Sequence, residues 1–173
     1  MNHFLLIGAA FLVFTGCGQS ARNSDPEKGI FFSDFESLYY WNESGNLVNN
    51  RGRDGSGCIK VDQDHEYTPT FKVRVSDIKI KNPRRLTVNG WFKVDDLKAT
   101  AKLVTCVDNN GEIIGWNASS SEELARKTGV WTKIESSTNI PAGLPGDAKL
   151  VVYGLRTGTG EVLFDDLEIK ITE

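Results

Sequence analysis

Apolar and polar residues alternate with a period of two along most of this chain. In TFKVRV, Phe71, Val73 and Val75 oppose Lys72 and Arg74. In RRLTVNGWFKV, Leu86, Val88, Phe92 and Val94 share a face with Gly90 and leave Trp91 on the other. One apolar and one polar side mark the half-buried strands of an antiparallel sheet. Comparable runs are GIFFSDFES, GCIKVD, AKLVTCVD, GEIIGWN, VWTKIESSTNI, AKLVVYGLR and EVLFDDLEIKI. Turn residues cluster between them in NNRGRDGSG, KNPRR, DNNGE and PAGLPGD, and Asn110-Gly111 suits a hairpin. SSSEELARKTG reads as one short surface helix, with a serine cap, early glutamates and Gly129 as its stop. Roughly eight to ten strands with so little helix predict an all-β protein, an antiparallel β-sandwich or jelly roll.

One strand breaks the pattern. GEVLFDDLEIKI carries Asp165 and Asp166 in its middle, and aspartate is depleted in strands. Strict alternation puts Leu163, Asp165, Leu167 and Ile169 on one face and Phe164, Asp166, Glu168 and Lys170 on the other. The first set looks like a core face. A carboxylate there needs a cation or hydrogen-bond donors, because an unpaired buried charge is very costly.

The start of the chain concerns location. Phe4 to Phe14 is an unbroken run of eleven apolar or small residues, too short to span a bilayer and suited to a signal peptide. Phe14-Thr15-Gly16-Cys17 resembles the bacterial lipobox, which implies that residues 1–16 are removed and that Cys17 is lipidated. No Asp follows Cys17, so the resemblance implies the outer membrane, with the protein lipid-anchored at the cell surface or on the periplasmic side. Residues 17–29 are polar and turn-rich and read as a tether. Residues 30–173 are then one domain of ordinary size. The net charge of −3 argues against nucleic acid as a partner. Cys58 and Cys106 lack the spacing of a zinc site, and a disulfide between them and two buried thiols both remain open.

The order FSDFES, DGSGCIKVD, LTVNGWFKV, VDNNGEIIGW, TGVWTKIESSTNIPAG, GEVLFDDLEI resembles the galactose-binding-like jelly rolls of the carbohydrate-binding-module type, as in families four, nine and twenty-two. The resemblance spans residues 30 to 171. It implies a structural calcium where the first and last strands meet, with Asp34 and Glu36 from SDFES and Asp165 as its side-chain ligands. Calcium takes six to eight oxygens, which such carboxylates with carbonyls supply. A second acidic stretch, Asp62, Asp64 and Glu66, lacks the glycine and distal glutamate of a calcium loop and reads as a solvated turn.

Catalytic signatures are sparse. The chain has neither G-x-S-x-G nor H-E-x-x-H, and its histidines are His3 and His65. The family resemblance therefore implies a non-catalytic protein binding a glycan or polysaccharide, with aromatic rings stacking on sugar faces. The candidate rings are Tyr39, Tyr40, Trp41, Trp91 and Trp116, with Asn42 and Glu43 beside the first three. Three consecutive aromatics cannot all face one side of an extended strand, so at least one of Tyr39, Tyr40 and Trp41 is expected to be exposed. The alternatives are a structural or protein-binding surface lipoprotein with a degenerate sugar site and, last, a hydrolase acting on glycans.

Overall fold

The structure is a computed structural model that describes residues 24–38, 40–42 and 46–173. Cys17, Tyr39 and Glu43 lie outside the described residues. Ten strands are described: β1 (Ile30–Ser33), β2 (Leu47–Val48), β3 (Cys58–Val61), β4 (Phe71–Arg74), β5 (Arg85–Val94), β6 (Ala101–Asn109), β7 (Glu112–Ser120), β8 (Thr132–Asn139), β9 (Lys149–Arg156) and β10 (Val162–Thr172). They form two antiparallel sheets. The first runs β2-β3-β10-β5-β8 with β1 also on β10, and the second runs β4-β9-β6-β7. The predicted β-sandwich is what the chain forms.

The alternation read from the sequence places the core. On β5, Leu86, Val88, Gly90, Phe92 and Val94 point inward. Leu103, Val107, Leu150, Val152 and Phe71 meet them from the second sheet. Phe35, Phe71, Phe92 and Phe164 are fully buried, each worth about 1.5–3 kcal/mol in water removed from its surface. The two sheets are also stitched along one side. The Asn117 amide and the Ser119 hydroxyl on β7 donate to the Ser137 and Glu135 carbonyls of β8.

β10 answers the question posed by its two aspartates. Phe164 pairs with Phe92 and Ile169 with Val88, both facing inward, but Asp165 pairs with Trp91 and Glu168 with Asn89. Between Asp165 and Glu168 the register shifts by a bulge, and Asp166 takes a left-handed φ of 50°. The extra residue switches the phase of the strand. Leu163 and Asp165 therefore share the outward side with Lys93 and Trp91, and Leu167 and Ile169 return to the core. This corrects the strict alternation, which put Leu163 and Asp165 with the core residues. Gly90 completes the bulge, because a Cβ there would collide with the Leu167 side chain. The bulge is also where the neighbour of β10 changes. Residues 162–164 pair with β3, and residues 167–170 pair with β1.

The folded domain reaches back into the predicted tether. Ser24 Oγ accepts from Phe32 N at 2.9 Å, and a 3₁₀ turn at Pro26–Lys28 leads through Gly29, φ 67°, into β1. The predicted helix is a single turn, α1 (Ser121–Leu124), capped as expected by Ser120. Its chain leaves helical geometry at Ala125, before Gly129 is reached.

Candidate functional site

The outer face of the four-stranded sheet carries exposed rings. Cross-strand pairs fix which residues face out there: Lys72 opposite Val151, Cys106 opposite both Val151 and Trp116, Val104 opposite Tyr153, Asp108 opposite Lys149. Tyr67 joins the end of this face through a bridge to Leu155. Tyr67 and Trp116 are 52% and 50% exposed. Tyr153 is half-buried between them, its ring 5.8 Å from that of Tyr67 and tilted to it by 57°. Val104, Cys106 and Val151 face outward yet are buried, and they form an apolar floor. Tyr67, Tyr153, Cys106 and Val151 line a shallow depression of about 240 Å³ whose polar edge is Thr70, Lys72 and Asp108. Trp116 borders a second, more polar depression of about 340 Å³ with Arg85, Asn117, Ser137 and Asn139. The first is a trough with an apolar floor, aromatic walls and hydroxyl and charged groups at its rim, and Trp116 stands beside it on the same face, opposite Cys106.

The electrostatics of the trough follow from burial. Tyr153 is pushed up by burial, against the pull of its hydrogen bond with Trp116. Burial, with Asp108 nearby, raises the Cys106 thiol to about 11, so it stays protonated and serves as floor. Cys58 is likewise a buried free thiol, on the other sheet.

The sequence candidates fall in three places. Trp116 is beside the trough. Trp91 lies on the opposite side of the sandwich, beside a depression of about 610 Å³ lined by Arg53, Lys133, Glu135, Asp166 and Glu168. That depression is the larger one, but the Arg53 guanidinium sits 4.4 Å from the Trp91 ring centre and the Lys133 ammonium 5.4 Å from it. Trp91 is thus already occupied by protein cations. Trp41 must be corrected. It is 7% exposed and packs against Phe35 and Phe71 with ring centres 5.2 and 5.9 Å apart, so it offers no face to a ligand. Tyr40 is half-buried with its edge against Phe31 at 5.1 Å. The described part of LYYWNES folds inward over the core because that buries more aromatic surface than presenting it would. Tyr67 and Tyr153 were missed from the sequence. Tyr153 was legible, since it alternates out of phase with Leu150 and Val152. Tyr67 sits in a polar turn with no periodicity to reveal it.

The expected calcium ligands are not brought together. Asp34 Oδ1 accepts from Glu36 N, and Glu36 accepts from the N–H groups of Ser56 and Gly57, both at 2.6 Å, and from the Ser56 hydroxyl. These donors, the Gly57 N–H foremost, hold Glu36 below the ordinary carboxylate range. Asp165 accepts from Arg53 N and Asp166 N, each at 2.7 Å, while burial raises its pKa to about 7. The Arg53 Nε lies 2.6 Å from Asp166 Oδ2. Among the described residues no three acidic, histidine or cysteine side chains group as a metal site. The carboxylate oxygens are taken by N–H donors and a guanidinium, and this arrangement does not fit calcium. His65 is bound within its own turn, Nδ1 2.8 Å from Asp62 Oδ1. Although burial raises Asp62, hydrogen bonds from Lys60 and His65 bring it to about 2.

The fold is a β-sandwich similar to that of solved carbohydrate-binding modules. It resembles the CBM22-2 xylan-binding domain of Paenibacillus barcinonensis Xyn10C, with a TM-score of 0.56 and 17% identity over 82% of this chain and 99% of that one. The C-terminal family 22 carbohydrate-binding module of Clostridium thermocellum Xyn10B gives 0.54 and 15%, over 87% of this chain and 97% of that one. The K1 cleaved adhesin domain of Lys-gingipain from Porphyromonas gingivalis W83 gives 0.50 and 14%, over 83% and 99%. At these identities the likeness is one of fold. No protein-family model matches the chain, and no curated protein does.

Proposed function

We propose that this protein binds a glycan or polysaccharide without cleaving it, on the outer face of its four-stranded sheet. The observation that carries the reading is the set of rings at Tyr67, Tyr153 and Trp116 around a buried apolar floor. Tyrosine and tryptophan give large contact area with little rotamer loss and retain a polar handle. Hydroxyls and charges at the rim suit sugar hydroxyls. Several solved neighbours are xylan-binding domains, which supports the same class of ligand. Hydrolysis of a glycoside needs two facing carboxyl groups, and Asp108 is the acid that the trough brings to its edge.

The sequence features at Phe4–Phe14 and Cys17 support an anchored form, held at the outer membrane by acyl chains on Cys17 with residues 17–23 as the link. Two or more chains make such attachment stable. A glycan array probed with the protein tests the binding reading. Selective binding to one polysaccharide class, lost on Trp116→Ala with an unchanged melting temperature, is the expected result. Absence of binding to every glycan on the array overturns it.

A further inference from the structure

The trough is more basic than the protein that carries it. The chain has a net charge of −3. Yet the outward positions of β4, β6 and β9 hold Lys72, Arg74, Lys102 and Lys149 against the single acid Asp108. Among the described residues none of these four cations has a carboxylate within 4 Å, whereas Arg51, Arg53, Lys60 and Lys170 all do. The arrangement also includes a cost. Arg74 and Lys149 are direct cross-strand partners, and like charges facing each other destabilise a sheet. The only acid opposite Lys149 is Asp108, whose Oδ1 is engaged by the Gly111 N–H at 2.6 Å.

The cations follow the rings along the length of the trough. Lys102 starts from the Leu155 end and brings its ammonium to 5.9 Å from the Trp116 ring centre, Lys72 shares the middle row with Val151, Cys106 and Trp116, and Arg74 with Lys149 lies one row beyond. From Leu155 to Lys149 the strand covers roughly 20 Å at about 3.3 Å per residue. Positive charge repeated along an aromatic floor matches a chain that repeats both a ring face and a negative group.

Building on the glycan-binding reading above, we infer that the ligand is an anionic polysaccharide, bearing carboxylate or sulfate groups that pair with Lys72, Lys102 and the Arg74–Lys149 end while its sugar faces lie on Trp116, Tyr153 and Tyr67. A neutral glycan leaves all four cations unpaired and the Arg74–Lys149 repulsion in place. Polyanion charge also raises the encounter rate by steering, an effect that added salt weakens.

The test is calorimetric titration of the protein with polygalacturonate, chondroitin sulfate and a neutral arabinoxylan, at low and physiological salt. The expected result is at least tenfold tighter binding of one or both polyanions than of arabinoxylan. Comparison of polygalacturonate with chondroitin sulfate tells carboxylate from sulfate. The double substitution Lys72→Gln with Lys102→Gln should remove most of that preference while the melting temperature holds. Trp116→Ala should weaken polyanion binding tenfold or more. Arabinoxylan binding as tight as polyanion binding overturns the anionic inference and leaves the glycan reading standing. Polyanion binding that survives Trp116→Ala is simple ion exchange and overturns it too. Binding to none of the three, together with a blank glycan array, removes the glycan reading itself.

Discussion

The backbone N–H of Arg53 points at the Oδ2 of Asp165, 2.7 Å away, and the Arg53 side chain reaches past it to Asp166. One residue of a surface loop thus holds both acids of the β10 bulge. The same guanidinium covers Trp91. Arg53 stands where the family resemblance expected a cation: its guanidinium pairs with Asp166, and its backbone N–H serves Asp165.

Replacing Arg53 by Ala should therefore destabilise the protein by about 2–4 kcal/mol, since it strands Asp166 without its cation. Thermal melting measures this as a loss of several degrees, at about 2–4 °C per kcal/mol. A chelator should leave the melting curve of the wild-type protein unchanged. A chelator-induced drop that added calcium reverses would contradict this account by mass action.

Asp165 sets a pH dependence. Its folded pKa is about 7 against an ordinary value of 3.8, so the folded state holds the proton more tightly than the unfolded state. Stability from this group is present at low pH and is lost as pH rises through that interval. Glu36 and Asp62, both lowered, act in the opposite sense and at lower pH. Melting temperature should then fall by a few degrees between about pH 5 and about pH 8. Asp165→Asn should flatten that slope, and an equal slope in the variant would rule out Asp165 as its source.

Gly90→Ala is the smallest change that should disturb the bulge. The added methyl meets the Leu167 side chain inside a closed core. Overpacking of this kind costs about 1–3 kcal/mol. A denaturant midpoint lowered with an unchanged slope is the expected signature. A Gly90→Ala protein of wild-type stability would mean that Leu167 can move aside freely.

The rings of the trough should separate binding from stability. Tyr67→Ala, Tyr153→Ala and Trp116→Ala should each weaken ligand binding about tenfold or more, or ~1.4 kcal/mol and upward. Tyr67 and Trp116 are half exposed, so their loss should move the melting temperature little. Tyr153 is more enclosed and should show a small thermal cost as well. Trp41→Ala is the contrast: its ring is in the core, and its loss should cost about 3–5 kcal/mol.

Much of the sandwich was legible because alternation follows directly from strand geometry. β5 obeys it from end to end, and its inward residues could be read one by one. β8 alternates in burial but turns Ser136 and Thr138 inward, and β6 and β9 bury Val104, Cys106 and Val151 on their outer face as well. β10 could not be read that way. A bulge adds one residue without any change in composition, so Leu163 and Leu167 look alike in sequence and face opposite ways in the fold. The two-residue strand β2 is too short to carry a period at all. Of the site, Trp116 was visible as an aromatic in a strand. Tyr67 was not, because a long-range bridge to Leu155 places it there. The inward turn of Trp41 is likewise a tertiary choice, made by the space that Phe35 and Phe71 leave beside it.

The central position of β10 has a consequence for how the polypeptide acquires its shape. β10 lies between β5 on one side and β3 and β1 on the other, yet it follows all of them in the chain. Until β10 pairs, β1 has no neighbour, the β2–β3 hairpin floats free, and β5 has only β8. Without residues 162–172 the first sheet has no centre to close over the core. The first sheet is thereby closed by pairings between segments far apart in sequence, and such long-range contacts form slowly because loop closure must precede the contacts that reward it.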